Sequence, residues 1–404
     1  MKDFPTIYIN SNNESSILAF GFGPILETYH SDNKIDKLSE LDTFIKNNSN
    51  HYLFGFLEYD LKNEIENVSS ENHDGVQFPS IYFWNPEFVV EIKNNEFEFV
   101  QGIQNEIASN YVIEFLKQIK KQTIKPFNFH FQPRISKEKY INKVVSLKNE
   151  IQLGNVYEVN FCQEYFAQNV QINNPIEAYT KLNKITKAPF SVYFDNENFS
   201  VFCGSPERFI KKSGAKLISE PIKGTSKRGE TIEEDQTYIQ ELKSNPKERS
   251  ENIMIVDLVR NDLSKIAKKN SVQVDELCGI YSFETVHQMI STISCEIKNT
   301  VSFTDILKAT FPMGSMTGAP KLSAMNLIES HESFKRGMYS GSIGYIKPNG
   351  DFDFNVVIRT MIHNKKNNYL SCAVGSAITI LSDPEKEFEE CAVKVNRIIN
   401  GMNE

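Results

Sequence analysis

The chain has 404 residues, of which 40% are hydrophobic and 24% are charged, as in soluble globular proteins with one large or two medium domains. The formal net charge is −8 and the lysines are spread along the chain. The composition therefore argues against a nucleic-acid-binding protein, which would carry a basic face.

The six cysteines show no C-x-x-C spacing, so the sequence offers neither a zinc motif nor a disulfide framework, and a reducing cytoplasm is expected. Residues 1–6 lack the apolar segment of a signal peptide. The apolar run at residues 17–26 is interrupted by Gly21, Gly23 and Pro24 and is too short to cross a bilayer. We therefore expect a cytoplasmic protein without a membrane partner.

Residues 1–125 contain short strand-like runs, for example at residues 52–56 and 88–92, and a polar stretch at residues 63–77 that is typical of a surface loop. A break rich in turn-forming residues follows at residues 126–133. These features divide the chain into an N-terminal region, residues 1–125, and a larger region, residues 126–404.

The larger region begins with a predicted amphipathic helix, capped by Ser136 and stopped by Gly154. Alternating patterns then predict strands at residues 156–166, 190–203, 280–298, 339–346, 352–362 and 369–380. A strong turn signal at residues 348–350 separates two of them. Short turns between strands favour antiparallel pairing. We predict an α+β fold in which large, mixed but mostly antiparallel β-sheets pack as a sandwich with helices on the outside.

Lys223 lies between Ile222 and Gly224, just after a strand predicted at residues 216–220. Most lysines in such turns are solvated and charged, and that is the more common situation. A lysine held against an apolar wall would instead favour the neutral amine, which is a nucleophile. The choice between these two interpretations depends on the elements that follow.

Two predicted helices each carry a pair of glutamates on one face. The first begins at Asn245-Pro246 and places Glu248 and Glu251 three residues apart. The second begins at Ser382-Asp383-Pro384, is expected to end before Gly401, and carries on one face Glu387, Glu390 and Lys394. Either pair alone is more typical of a solvated helix face. Two such pairs could together supply hard oxygen ligands to Mg²⁺.

Four further candidates have both a functional and a structural interpretation. The glycine-rich run at residues 311–321 leads into a helix and could bind an anion or simply cap the helix, but it does not match a phosphate-binding loop. Arg359, in an apolar run, requires a carboxylate from a ligand or from the protein. Glu207 is either a general acid or base or an exposed turn residue. His287 is a lone histidine in a strand pattern, and such histidines are usually structural.

Together these segments resemble the chorismate-utilising enzymes, most closely component I of the aminodeoxychorismate synthases. The resemblance covers residues 135–404 and, more weakly, the run at residues 54–61 of an N-terminal part like that of anthranilate synthase component I. It is carried by Ser205-Pro206-Glu207, Pro221-Ile222-Lys223-Gly224-Thr225, residues 249–262, Gly318-Ala319-Pro320-Lys321, Ile358-Arg359-Thr360 and Glu387-Phe388-Glu389-Glu390.

The resemblance implies a role for each matching residue. Glu251 and Glu390 are expected to bind Mg²⁺, supported by Glu248 and Glu387. Lys223 is the expected nucleophile and Glu207 the acid, with His287 near the substrate ring. The residues expected to contact substrate are Thr225, Ser315, Tyr345, Arg359, Gly375 and Lys394. Anthranilate synthases usually carry alanine at the position of Lys223.

The implied reaction begins when Lys223 attacks C2 of chorismate and the C4 hydroxyl leaves, and ammonia then enters at C4. No cysteine has the surroundings of a glutaminase nucleophile, so a separate glutamine amidotransferase subunit, or free ammonia, is expected to supply the nitrogen. Anthranilate synthase component I and an inert chorismate-binding homologue remain the alternatives.

Two departures from the family pattern stand out. Glu158 replaces the glutamine found in many members, and the absence of a lysine at this position argues against isochorismate and salicylate synthases. The usual triple-glycine loop is reduced to Gly375-Ser376-Ala377, which could alter the fit at the substrate.

Overall fold

Two large antiparallel sheets form the centre of the molecule. The structure is a computed structural model that describes residues 4–13, 15–32, 35–66, 68–94 and 96–404. Across the first sheet the strands are, in order, β17 (Gly318–Ala319), β9 (Glu158–Ala167), β21 (Tyr369–Ile378), β20 (Thr360–Asn364), β11 (Phe199–Ser205), β10 (Phe190–Asp195), β1 (Thr6–Asn10), β2 (Ser15–Phe20), β6 (Phe88–Lys93) and β7 (Glu96–Gln101), with β8 (Gln132–Pro133) paired to β9.

The second sheet is built in the same antiparallel manner. Its strands are, in order, β14 (Ile222–Lys227), β16 (Val286–Glu296), β13 (Lys216–Glu220), β12 (Arg208–Ser213), β19 (Phe352–Asn355), β18 (Ser342–Ile346), β4 (Leu53–Leu57), β5 (Ile81–Trp84) and β3 (Ile25–Thr28), with β15 (Gln273–Ser282) paired to β16.

Helices connect the strands and cover the sheets. They are α1 (Lys37–Asn47), α2 (Lys62–Ile65), α3 (Glu106–Ile119), α4 (Lys137–Gln152), α5 (Pro175–Thr186), α6 (Ile232–Ser244), α7 (Pro246–Ser264), α8 (Phe303–Thr310), α9 (Lys321–His331) and α10 (Pro384–Asn403), with 3₁₀ turns at Tyr59–Leu61 and Gly314–Met316. Among the described helices, none is both long enough and apolar enough to cross a membrane.

The core has two main layers. One lies between the sheets, where for example Phe56 of β4 meets Phe194 of β10 edge-on with ring centroids 5.5 Å apart. The other lies between the first sheet and its helices, where Tyr140 of α4 packs on Phe161 of β9. The predicted α+β sandwich with outer helices is thus confirmed.

Both sequence regions contribute to both sheets. β1 pairs with β10 and β4 pairs with β18, so strands from residues 1–125 lie beside strands from residues 126–404. Each sheet contains strands from both sides of residue 125. The division of the chain at this residue therefore stays a prediction.

Several predicted bounds are changed by local backbone features. The run at residues 190–203 forms two strands, because the Asn196 side chain accepts hydrogen bonds from the amides of Asn198 and Phe199 and turns the chain. The run at residues 280–298 is likewise divided between β15 and β16. Gly401 lies inside α10 instead of following it. Residues 1–3 of the N-terminal segment and Asn67 of the predicted loop lie outside the described residues.

Candidate active site

A cavity of about 510 Å³ is lined by residues of both sheets. Its walls come from β14, β21, α7 and α10 and from the short segments that precede β12 and β20. The structure brings together here eleven of the thirteen predicted site residues: Glu207, Lys223, Thr225, Glu248, Glu251, Ser315, Arg359, Gly375, Glu387, Glu390 and Lys394.

His287 and Tyr345 do not line this cavity, so the structure does not bring them together with the other predicted site residues. Gln288 does line it, and because successive residues of a strand point to opposite faces, His287 faces away. Its Nε2 lies 2.9 Å from Asp235 and its Nδ1 lies 2.8 Å from Ser282. Tyr345 belongs to β18, away from β14 and β21, and lines a separate cavity of about 270 Å³.

Lys223 lies in the cavity wall and is 9% exposed, as the functional interpretation requires. Of the two charge states considered for this amine, its surroundings favour the charged one. Its Nζ donates a hydrogen bond of 2.6 Å to Oε1 of Glu158, which is fully buried on β9. Burial by itself would lower the pKa of Lys223, but the carboxylates of Glu158 and Glu251 outweigh burial and raise it. The resting side chain is therefore an ammonium.

Glu207 is positioned by the Ser205-Pro206 turn between β11 and β12 and is buried. The Ser315 hydroxyl donates a hydrogen bond of 2.6 Å to its Oε1. Burial raises the pKa of Glu207 to about 7, although Ser315 and the charge of Lys223 oppose that rise. A carboxyl group with this pKa can be protonated near neutral pH and can donate a proton.

The two glutamate pairs lie at the beginnings of α7 and α10, as predicted. Asn245 caps α7 by accepting hydrogen bonds from the amides of Lys247 and Glu248, and Pro246 occupies its first turn. Asp383 caps α10 in the same way. Glu251 and Glu387 are buried, whereas the Glu390 side chain is 49% exposed.

Lysines lie among these carboxylates. Lys247 Nζ is 3.1 Å from Glu387 and 3.7 Å from Glu251, and Lys394 Nζ is 2.6 Å from Glu390. Burial raises the pKa of Glu251 to about 7, and its Oε1 has no hydrogen-bond partner. The pKa of Glu390 is lowered, because the charge of Lys394 outweighs burial.

The charges around the cavity fit a divalent cation. Five carboxyl groups line the cavity, those of Glu207, Glu248, Glu251, Glu387 and Glu390, together with four basic side chains, Lys223, Lys247, Arg359 and Lys394. Glu158, which contacts Lys223 from outside the lining, brings the formal excess to two negative charges. The oxygen-only set of acidic side chains and the Glu251 oxygen without a hydrogen bond suit Mg²⁺. The lysines lie between the carboxylates, so a cation would have to displace at least Lys247.

Arg359 is not part of a strand but lies between β19 and β20 with a φ of 52°. Within the described chain, no carboxylate lies at ion-pair distance from its guanidinium, so the internal partner considered above is not found. Burial and the nearby Arg397 lower its pKa to about 10. An unpaired arginine in a cavity wall is suited to a ligand carboxylate.

Two glycines allow close approach at the site. Gly224 has a φ of 93°, and a Cβ there would lie 3.0 Å from Oε2 of Glu248. A Cβ on Gly375 would lie 2.6 Å from the Cys162 sulfur. A larger residue at position 224 would push β14, which carries Lys223, away from α7, and one at position 375 would push β21 away from β9.

The cavity also contains residues that were not predicted, notably Asn160, Lys247, Gln288 and Tyr339. Lys247 could have been found from its position four residues before Glu251. Gln288 could have been found from the strand alternation, once His287 was known to face away. Tyr339 lies outside the motifs, and its position depends on the packing of the whole fold.

Comparisons with known proteins agree with this architecture. The family described as chorismate binding enzyme matches residues 4–400. The structure of anthranilate synthase component I from Streptococcus pneumoniae superposes with a TM-score of 0.81, covering 96% of this chain and 92% of that one at 24% identity. It supports the fold alone.

Sequence relatives include proteins with two different names. The chloroplastic aminodeoxychorismate synthase of Arabidopsis thaliana is 42% identical over 68% of this chain, which spans only 30% of that protein. Aminodeoxychorismate synthase component 1 of Bacillus subtilis is 33% identical over 83% of this chain and 73% of its own length. Anthranilate synthase component 1 of Aquifex aeolicus is 32% identical over 87% and 74%. The chain belongs to the chorismate binding enzyme family.

Proposed function

We propose that this chain is component I of an aminodeoxychorismate synthase, which converts chorismate and ammonia to 4-amino-4-deoxychorismate for 4-aminobenzoate and folate synthesis. The observation that carries the proposal is the buried Lys223 amine, which shares one cavity with Glu207 and the carboxylates of α7 and α10. A lysine in this position offers the nucleophile that a covalent route requires.

Three residues of the cavity, Lys223, Glu207 and Arg359, have a direct part in this reaction. The Lys223 amine attacks C2 of the ring, the two ring double bonds shift, and the C4–oxygen bond breaks. Protonated Glu207 gives its proton to the departing hydroxyl, which leaves as water. Ammonia then forms a bond to C4 and Lys223 leaves from C2. Arg359 binds a substrate carboxylate through its guanidinium and so keeps the substrate in position.

Glu251 and Glu390, with Glu248 and Glu387 near them, are the residues that would hold Mg²⁺. When bound, the ion would act as a Lewis acid on the ring carboxylate and draw off negative charge. Ammonia would come from a glutamine amidotransferase subunit, a dependence supported by the name "component 1" of the bacterial relatives.

Anthranilate synthesis is the second candidate, because relatives with that name are 32% and 30% identical. In anthranilate synthesis the nitrogen is placed at C2, and a lysine bonded to that carbon would have no part in the reaction. The presence of Lys223 therefore favours the first function. The third candidate is an inert chorismate-binding homologue. The gathering of most predicted site residues around one cavity argues against it.

The direct test is to replace Lys223 with alanine. We expect formation of aminodeoxychorismate from chorismate, Mg²⁺ and ammonium to fall by at least ~100-fold, as when a covalent nucleophile is removed. Lys227→Ala is the matched control, because Lys227 is an exposed lysine on the same strand. Unchanged turnover in the Lys223 variant would remove the covalent-lysine mechanism.

A further inference from the structure

The contact between Glu158 and Lys223 has no part in the reaction described so far. Glu158 belongs to β9 in the first sheet, and Lys223 belongs to β14 in the second, 65 residues further along the chain. The two side chains nevertheless meet at 2.6 Å, and Glu158 is fully buried. In the described chain, Glu158 is the one carboxylate at ion-pair distance from the Lys223 ammonium.

The other charged groups that face Lys223 are already engaged. Glu251 on α7 faces Lys247 and belongs to the carboxylates suited to a cation. Glu207 accepts a hydrogen bond from Ser315 and must supply a proton to the leaving hydroxyl. Glu248 and Glu390 lie on the helices with the other cation-binding carboxylates. Glu158 alone among these groups has no other part in the reaction, and its second oxygen, Oε2, has no hydrogen-bond partner.

A protonated amine has no lone pair with which to attack carbon, so Lys223 must lose a proton before the first bond forms. Only 9% of Lys223 is exposed, so a proton acceptor fixed beside Nζ has an advantage over water. We infer that Glu158 is the catalytic base that takes this proton from Lys223 and returns it at the end of the cycle. This inference rests on the proposed function.

The proton and electron balance closes. Lys223 Nζ gives one proton to a Glu158 oxygen, and the lone pair left on nitrogen forms the bond to C2. The C4–oxygen electron pair leaves with the hydroxyl, which Glu207 protonates to water. The nitrogen attached to C2 is then a secondary ammonium. When ammonia bonds to C4, Lys223 leaves as the neutral amine and recovers its proton from Glu158. The new ammonium on C4 gives up one proton, which restores the protonated Glu207.

The test measures the covalent step alone, in single turnover without ammonia. The full-length chain is mixed with chorismate and Mg²⁺, and intact-protein mass spectrometry follows the adduct, which weighs one chorismate less one water. We expect Glu158→Gln to slow adduct formation by ~100-fold at pH 7, the usual contribution of a general base. The difference in rate between this variant and the wild type should decrease as the pH rises, because water and hydroxide then remove the proton from Lys223. A purely structural defect would slow the step equally at every pH.

Two further variants complete the design. Glu98→Gln makes the same charge change at an exposed position on β7 of the same sheet and should react like the wild type. Glu158→Asp keeps a carboxylate on a shorter side chain, and we expect a rate about tenfold below wild type because the short contact to Nζ is lost. Folding of both variants is checked by circular dichroism. If Glu158→Gln does not fold, Glu158→Asp tests the role of Glu158 instead, and a wild-type rate of adduct formation in Glu158→Asp would contradict direct proton transfer.

The outcomes separate this inference from the proposed function. A wild-type adduct on Lys223, together with an equally fast Glu158→Gln variant at pH 7, would overturn the role of Glu158 and leave the proposed function intact. Absence of any adduct on Lys223 in the wild type would overturn the covalent mechanism and the role of Glu158 with it.

Discussion

The charge states of single residues in this cavity depend on partners that are distant in sequence. Lys223 and Glu207 line the same cavity, and each belongs to a short local motif that the sequence alone could point to. The sequence left open whether Lys223 is an ammonium or a neutral amine, because the deciding partner, Glu158, comes from a different sheet. Desolvation alone would have given the opposite charge state.

The raised pKa of Glu207 predicts that the stability of the protein depends on pH. Its folded pKa of about 7 lies above its unfolded value of 4.5, so the folded state binds the extra proton between these values. The contribution of this carboxyl group to the free energy of unfolding is complete below pH 4.5 and is lost as the pH rises through 7. The upper limit of this contribution is about 3 kcal/mol. Glu207→Gln carries no such charge. We expect it to melt above the wild type at pH 8 and near it at pH 4.5.

The measurement is thermal unfolding of both proteins across this range, together with the adduct assay. The variant should form adduct slowly although it is the more stable protein, because it has lost the proton donor. A melting difference that does not change between pH 4.5 and pH 8 would show that Glu207 does not titrate as described.

At the scale of elements, the helices that carry the glutamates were predictable in detail. Asn245-Pro246 and Asp383-Pro384 are strong start signals, and spacing on a helix fixes which residues share a face. Other helices had comparable signals that were overlooked, such as the capping box of Ser302 and Asp305 at the start of α8. Strand ends were less predictable, because turns such as that at Asn196 depend on side-chain hydrogen bonds.

The facing starts of α7 and α10 predict a role for Glu251 in cation binding. Glu251→Gln removes one oxygen-ligand charge from the cavity, so we expect half-maximal adduct formation to need at least ~10-fold more Mg²⁺. The matched control is Glu389→Gln, an exposed glutamate beside Glu390 on α10. The same Mg²⁺ titration for wild type and the Glu251 variant would exclude Glu251 as a ligand.

At the scale of the whole molecule, the site depends on the packing of two sheets that the sequence could predict only as a class. The fold class followed from strand alternation and short turns. The strand order did not, because pairs such as β1 with β10 and β4 with β18 join segments far apart in the chain. Tyr345 shows the consequence: the resemblance implied a contact with substrate, but β18 places this residue at a different cavity.

We propose that this cavity places nitrogen at C4 of chorismate. The most direct test is to identify the product formed by the purified chain with chorismate, Mg²⁺ and an ammonium salt at mildly alkaline pH, using chromatography with mass detection. A parallel reaction would include a glutamine amidotransferase subunit and glutamine. We predict 4-amino-4-deoxychorismate, which an added lyase converts to 4-aminobenzoate. Fluorescent anthranilate released with pyruvate would contradict the claim and show that Lys223 does not set the product.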